Sequence, residues 1–509
     1  MRSWLSFFEM LQFPVKVLFV AFVLLGLGGG MANSALAAVL PATESTLVVS
    51  SILQYVGSFV IGNFPLLLVV SMVGRRKDSS APIFAGVMGF IIFIIVSTFV
   101  ANQTYSSEFY ASILGISVDM KQFSANSDVI LYPFQTGVIS AIAVVWCTRM
   151  AYRNTRQHSM DGWMGYVDKD TMAVLLAMVF CFIAAIFVTM MWPIAINVIA
   201  RVMRYIARDI TSPIRLFIYG VFDRGMSILG LSSISRGAFW FGNYGGSWIN
   251  SNGISYFGDV AVWTGQQAAL IVSNGAGRLI TPYYLINFFA IPAIAIVNWI
   301  SFTDAKERRR YFFFMILVIV ISVLFGSTLP FELYLLTTTP VILAIHLLTT
   351  GLLFGILQSL GVFIGYTYNG NPAFANPGNI FDLIAYFNDT YTRGNLYLFL
   401  IVGAVVFVFY FLVAYLYYNY LALDFLNFGK REIIDEFLAS IGGLGNVRNI
   451  QAATTKVTVK VINPQIVDFN RLHAAGVGKI VENKDGYNIY FGSDSLMIRR
   501  AVIRKIRGK

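Results

Sequence analysis

Glu332 stands at the end of a Gly/Pro-bounded turn, Gly326-Ser327-Thr328-Leu329-Pro330-Phe331-Glu332, inside an otherwise apolar stretch. A carboxyl group is costly to bury there. It reads either as a solute-binding group or as the acid that caps the helix after the turn. Arg224 follows Asp223 in another low-charge stretch, where its guanidinium either binds a solute oxygen or pairs with its neighbour. His346 lies in an apolar run, the setting of a core histidine with both ring nitrogens satisfied. His158 and His473 complete the histidines, and the three stand too far apart for a metal-binding pair. The two cysteines, Cys147 and Cys181, each sit inside an apolar run, where cysteine behaves as a small hydrophobe. No disulfide framework or cysteine-based zinc cluster can be built from them. Neither a metal nor a cofactor is expected.

Helices in a bilayer must position these residues. Of 509 residues, 57% are apolar and 12% are charged, against about a quarter charged in soluble domains. The mean hydropathy is +0.71. This composition excludes an ordinary soluble enzyme, a disordered chain and a nucleic-acid-binding domain. A bilayer core needs about 20 apolar residues per helix. Runs of that order fall at 15–40, 47–73, 82–101, 131–151, 171–199, 283–301 and 397–421, with a double-length run at 311–358. The stretch 213–275 is aromatic and rich in Gly, Ser and Asn, and reads as partly re-entrant or pocket-lining.

The net charge of +11 is read as orientation. Arg75-Arg76-Lys77, then Arg149, Arg153 and Arg156, then Lys306 and Arg308 to Arg310, and the tail from Lys430 are placed on the cytoplasmic side. The loop 102–130, with one lysine and three acids, is external. Arg201, Arg204, Arg208 and Arg215 break this pattern, so 200–215 is expected to be an amphipathic segment near the interface, on a side left open. Parity closes if 311–340 is a re-entrant hairpin turning at Gly326 to Glu332 and about 341–358 crosses alone. Broken helices of this kind are where transporters build solute sites. The first apolar run is followed by Ala35-Leu36-Ala37, which resembles a signal cleavage site, but further spans follow at once and a retained helix is expected.

Near residue 430 the composition turns polar and basic. A helix over 431–440 ends at Gly442-Gly443. Alternation in Lys456-Val457-Thr458-Val459-Lys460-Val461 predicts a half-buried strand. A short helix near 466–474 follows, then two strands joined at Asn483-Lys484-Asp485-Gly486, then a basic helix near 493–506.

A membrane domain followed by such a tail resembles the fused IIC–IIB permeases of the bacterial sugar phosphotransferase system, in the glucose / N-acetylglucosamine / maltose branch. The resemblance spans nearly the whole chain. It rests on the order and spacing of Asn63-Phe64-Pro65-Leu66 through Lys77-Asp78-Ser79, Gln135-Thr136-Gly137-Val138, Ser212-Pro213-Ile214 through Asp223-Arg224 and Gly230-Leu231, Gly258-Asp259, Ile291-Pro292-Ala293, Pro340 to His346, and Ile380-Phe381-Asp382. In the tail it rests on Ile441-Gly442-Gly443 and on Asn446 through Thr455-Lys456. The departures fall on chemistry. The family's IIB domain carries phosphate on a cysteine, and the matching position is Ala453, with no cysteine anywhere in 430–509. Lys456 replaces the arginine usual three residues on, and Thr458 the next position of the anion-binding set. The glutamate of the family's Gly-Ile-Thr-Glu-Pro turn is Leu329, its sugar-site histidine is Ser232 or Ser233, and a Gly-Lys-Arg-like signature is Asp168-Lys169-Asp170.

The expectation is a polytopic α-helical membrane protein, with about ten spans plus re-entrant hairpins, and a small C-terminal cytoplasmic α/β domain. Its parts are a IIC-like transport domain at 1–425, a linker and first tail helix at 426–440, and a IIB-like domain at 441–509. The resemblance implies a homodimer in the bacterial cytoplasmic (inner) membrane that binds or moves a sugar-like solute, without self-phosphotransfer. The alternative is a catalytically inactive paralogue acting as sensor, scaffold or regulatory partner. A third reading has another polypeptide donate the IIB domain. Phosphotransferase-system proteins or a regulatory partner would then meet the tail. Candidate solute-binding residues are Arg224, Ser232, Ser233, Thr328, Glu332, His346 and Asp78. The aromatic run 239–248 either stacks on a sugar ring or packs helices, and Asp78 and Asp382 read chiefly as turn formers.

Overall fold

Long apolar segments in lipid satisfy their backbone internally, and an α-helix does so within one segment. The computed structural model describes residues 2–33, 43–74, 80–123, 128–157, 167–271, 275–302, 305–366, 368, 375–386, 396–419, 431–453, 455–474, 477–483, 486–492 and 495–506. In chain order its helices are α1 (Arg2–Met31), α2 (Glu44–Gly62), α3 (Phe64–Val73), α4 (Ser80–Val100), α5 (Val138–Gln157), α6 (Lys169–Ala207), α7 (Pro213–Ile228), α8 (Ser232–Trp240), α9 (Asp259–Ala268) and α10 (Thr281–Leu285). They continue with α11 (Ile291–Ile300), α12 (Ala305–Ile319), α13 (Leu329–Thr338), α14 (Pro340–Leu360), α15 (Ile380–Tyr386), α16 (Leu396–Asn419), α17 (Arg431–Ser440), α18 (Phe469–Ala474) and α19 (Ser495–Ile506). Two short hairpins, β1 (Val118–Asp119) with β2 (Ile130–Leu131) and β3 (Ser247–Ile249) with β4 (Ser255–Phe257), interrupt the helices.

Among the described residues, seven helical stretches are long and apolar enough to cross a membrane: Phe13–Met31, Glu44–Gly62, Ser80–Val100, Lys169–Ala207, Thr281–Ile300, Pro340–Leu360 and Tyr397–Tyr418. By length and composition the chain is a membrane protein. Other segments depart from the apolar runs. The run 47–73 is broken at Asn63, whose side chain donates to the Phe59 carbonyl (2.8 Å) and accepts from the Leu114 amide (2.8 Å). The run 131–151 becomes helical only at Val138, because Gly137 turns the backbone at φ +52. A side chain on Gly137 would overlap the Leu229 carbonyl, so glycine is required there. Residues 200–207 are not a separate amphipathic segment. They prolong α6 to 39 residues, about 58 Å at 1.5 Å per residue. Arg201 and Arg204 are exposed along it, which is how a helix carries charge without ending. In the double-length run, a π-helical turn at Val320–Leu324 and an irregular stretch around Gly326 (φ +66) separate α12 from α13, at the place the sequence puts a turn.

The described chain divides into two units. The larger comprises Phe13–Tyr283 and Leu347–Asn395. Within it α4, α5 and α6 meet through Ala85, Ala151, Ala173 and Ala177, all fully buried. Small side chains let helix backbones approach closely in an apolar setting. Gly220 and Gly351 do the same, since a Cβ on Gly220 would lie 2.9 Å from the Gly351 Cα.

The other unit comprises Met1–Gln12, Tyr284–His346 and Leu396–Lys509. Its apolar helices pack through Gly403, where an added Cβ would strike the Phe289 ring. Its C-terminal part is a four-stranded antiparallel sheet, β5 (Val447–Ala452), β6 (Val457–Val461), β8 (Gly486–Tyr490) and β7 (Lys479–Asn483) in that order across the sheet. Inward residues Ile450, Val457, Val459, Tyr487 and Ile489 pack against Ile434, Phe437 and Leu438 of α17, Leu472 of α18, and Ile498 and Val502 of α19. Gly442 and Gly443 end α17 at positive φ.

Candidate functional site

Asp223 and Arg224 sit on the inner face of α7 in the larger unit, at 0% and 2% exposure. A charge buried this deeply persists only if it is paired and hydrogen-bonded. Arg224 Nη2 donates to Asp223 Oδ2 at 2.9 Å. It also donates to the Tyr283 hydroxyl at 3.2 Å, and its guanidinium carbon lies 4.7 Å from the centre of that ring. Tyr283 in turn donates to Asp223 Oδ2. On the other oxygen, Ser235 donates to Asp223 Oδ1 at 2.6 Å, and Arg236 Nε stands 3.8 Å away. Of the two readings left open for Arg224, pairing with Asp223 is therefore present. Ser235 and Arg236, both on α8, were not among the sequence candidates. The signal for them was slight: a serine and an arginine i and i+1 on a nine-residue helix of otherwise small, aliphatic and aromatic residues.

Ser232 and Ser233 open α8, and the Ser232 carbonyl accepts from the Ser235 hydroxyl at 3.1 Å. Ser233 is exposed and donates to Gln135 Oε1, while Ser232 is half-buried. Gln135 also donates from Nε2 to the carbonyls of Glu108 (3.0 Å) and Tyr110 (2.9 Å), tying the loop after α4 to the start of α8. Within the aromatic run 239–248, Phe239 and Trp240 pack protein against protein, while Asn243 and Ser247 are exposed. Trp240 and Phe239 are buried, with Trp240 Nε1 donating to the Tyr219 hydroxyl at 2.9 Å.

Thr328, Glu332 and His346 come together in the other unit. The Thr328 hydroxyl donates to Glu332 Oε1 at 2.7 Å, across the first turn of α13. His346 Nε2 is 3.2 Å from the same oxygen, and His346 Nδ1 is 2.9 Å from the Tyr410 hydroxyl of α16. Glu332 and His346 are both at 0% exposure. His346 is thus a core histidine with both ring nitrogens bonded, as its setting suggests. Tyr410, spaced 64 residues from His346, carried no sequence signal as a partner.

In the tail, Ala453 follows β5 directly and is 8% exposed. Its amide donates to the Lys456 carbonyl at 2.9 Å, closing the turn into β6, and the Gly492 amide donates to the Thr455 carbonyl at 3.0 Å. His473 is exposed on α18. Arg471 of the same helix grips Glu436 of α17 through Nε (2.6 Å) and Nη2 (3.3 Å), which holds the Glu436 carboxyl below its ordinary range.

Asp382 is buried and accepts from Asn33 Nδ2 at 3.2 Å, while its amide donates to Asn379 Oδ1 at 2.9 Å, the bonding of a turn former. Asp259 accepts the amides of Gly277 (3.0 Å) and Leu279 (2.9 Å), fixing the chain that leads into α10 and Tyr283. Asp78, the cluster 75–77 and His158 lie outside the described residues. Among the described residues, no group of three or more His, Cys, Asp or Glu is placed to hold a metal ion. No known protein-family model matches the chain.

Proposed function

We propose that the chain is a phosphotransferase-system IIBC-like membrane protein that binds or moves a sugar-like solute without carrying phosphate on its own tail. The observation that carries this reading is Ala453, closing the β5–β6 turn where the resemblance calls for the phosphocysteine. The break before α13 supports the finer topology of about ten spans with a re-entrant hairpin. The basic tail supports a cytoplasmic C-terminus and an inner-membrane location, and the homodimer follows from the resemblance alone. Thr328, Glu332 and His346 on one side, and Arg224 with Ser232 and Ser233 on the other, are the solute-site candidates of their respective units. Leu329 leaves the turn without its catalytic carboxyl, which fits binding and not phosphorylation.

The test is uptake of labelled glucose, N-acetylglucosamine and maltose into proteoliposomes, with product analysis, in the presence and absence of phosphoryl-donor proteins. Free sugar inside under both conditions supports the reading. Sugar phosphate inside overturns it. A second reading, an inactive paralogue whose tail serves as a docking surface, is favoured by an open cleft of about 550 Å³ on the tail, lined by Arg448, Asn449, Lys460, Glu482 and Tyr487 among others. Binding of none of the sugars, with capture of a phosphotransferase-system protein by the tail, selects that reading.

A further inference from the structure

The start of β5 breaks its alternation. Val447 pairs with Val461 and Asn449 with Lys460, so Arg448 is an extra residue bulged out of the strand pair. Val447 and Ile450 both pack against the core of the tail. The bulge therefore turns Arg448 and Asn449 together to the opposite face, and both are exposed. Lys460, between the inward-facing Val459 and Val461, is exposed on that face too.

These three side chains line the open cleft of about 550 Å³, and Glu482 and Asn483 of the β7–β8 hairpin line it with them. Arg448 makes no hydrogen bond or ion pair among the described residues, and Glu482 makes no ion pair there. The cleft is separate from the turn at Ala453. That turn follows the far end of β5, about 16 Å away along the strand at 3.3 Å per residue.

The lining selects among occupants. Lysine and glutamate are depleted at the centre of protein–protein interfaces, which disfavours a protein partner. The volume falls in the range of small-molecule sites, about 300–1,000 Å³. An arginine fork meets two oxygens of a phosphate with parallel bonds, and a lysine adds a point charge. Glu482 only accepts, so it disfavours a bare phosphate and favours a ligand that also brings hydroxyl hydrogens. The amides of Asn449 and Asn483 bond hydroxyl groups in either sense.

We propose that this cleft binds a small phosphate ester bearing hydroxyl groups, of the sugar-phosphate kind. Arg448 and Lys460 take the phosphate, and Glu482, Asn449 and Asn483 take the hydroxyls. The inference goes beyond both functional readings. It concerns the tail alone, and it gives the cleft a small molecule where the second reading gives it a protein.

The test is equilibrium dialysis of labelled glucose 6-phosphate, inorganic phosphate and glucose against the purified full-length chain in nanodiscs. Glucose 6-phosphate is expected to bind about tenfold or more tighter than inorganic phosphate. Arg448→Gln is expected to weaken it about tenfold or more, and Arg448→Lys to keep part of the affinity. Lys460→Gln is expected to weaken it about threefold or more, and it decides the matter if Arg448→Gln does not fold. Any glucose binding reports on the membrane solute reading and is expected to be the same in Arg448→Gln, as the inference requires. Glucose 6-phosphate affinity unchanged in a folded Arg448→Gln protein overturns the inference. So does inorganic phosphate binding as tightly as the ester. Binding of neither phosphate overturns it as well, and returns the cleft to the protein partner of the second reading.

Discussion

Replacing Asp223 with alanine removes the acceptor of a fully buried network in one step. Arg224, 2% exposed, then loses its 2.9 Å carboxylate partner, and Ser235 loses its 2.6 Å acceptor. Removing one partner of a buried ion pair costs about 3–5 kcal/mol, because the other charge is stranded. Asp223→Ala is expected to fall in that range. Arg224→Met should cost less, since Asp223 retains Ser235, Tyr283 and the Arg236 charge at 3.8 Å. Ser235→Ala removes one hydrogen bond to a charged group and should cost about 1.5–3 kcal/mol. Arg236→Gln should cost under about 1 kcal/mol, since that side chain is a quarter exposed and its ion pair is long. The double variant Asp223→Leu with Arg224→Met removes both charges together, and should be less destabilised than the sum of its parts by about 1–3 kcal/mol. The assay is equilibrium unfolding of the full chain in mixed micelles, followed by tryptophan fluorescence, for which Trp240 next to the network is a local reporter. Single variants at Asp223 and Arg224 that each cost under about 1 kcal/mol and add without coupling would refute the claim that this network is buried and mutually dependent.

His346→Ala should destabilise by about 1–3 kcal/mol, since it leaves buried hydrogen-bond partners at Glu332 and Tyr410, and prior replacement of Glu332 by Gln should shrink that effect in a double-mutant cycle, because the two share one buried contact. In the tail, Asn446 donates from Nδ2 to the carbonyls of Ile441 (2.7 Å) and Asn463 (3.0 Å) and accepts the Asn463 amide (2.7 Å). Asn446→Ala should therefore cost about 1–3 kcal/mol and raise amide exchange across β5 and β6, measured by hydrogen exchange and mass spectrometry. The Arg471 fork lowers the Glu436 pKa, so its stabilising contribution is present above the unfolded carboxyl value of about 4.3 and is lost as pH falls through the folded value. Protection of α17 and α18, corrected for intrinsic exchange, should drop on acidification below pH about 4 in the natural protein and drop less in Glu436→Gln.

The tail was legible because its signals were local. The alternation Val457-Thr458-Val459-Lys460-Val461, the Gly442-Gly443 stop and the Asn483 to Gly486 turn each name an element, and β6, the end of α17 and the β7–β8 pair stand there. The strand β5 was missed because its register shifts between Val447 and Asn449, which breaks the period of two in Val447-Arg448-Asn449-Ile450. In the apolar part, hydropathy located most helices and misjudged where they end. Arg201 and Arg204 lowered the hydropathy of residues whose backbone continues α6, since an exposed arginine costs a helix little. The candidate site was legible only where an ionisable residue stood in a stretch of few charges, as at Arg224, Glu332 and His346. Their partners Ser235, Tyr283 and Tyr410 are ordinary serine and tyrosine residues, and only folding brings them within reach.

Phosphate transfer to the chain itself tests the central claim most directly. The full-length protein in proteoliposomes is to be incubated with labelled phosphoenolpyruvate and the general phosphoryl-donor proteins, with an active IIBC permease as positive control, and the chain is then examined for bound phosphate by intact mass. The account predicts no phosphoryl group on the natural chain while labelled sugar still binds or enters unmodified. A stoichiometric phosphoryl group on the natural chain, with sugar phosphate as the product, would contradict it.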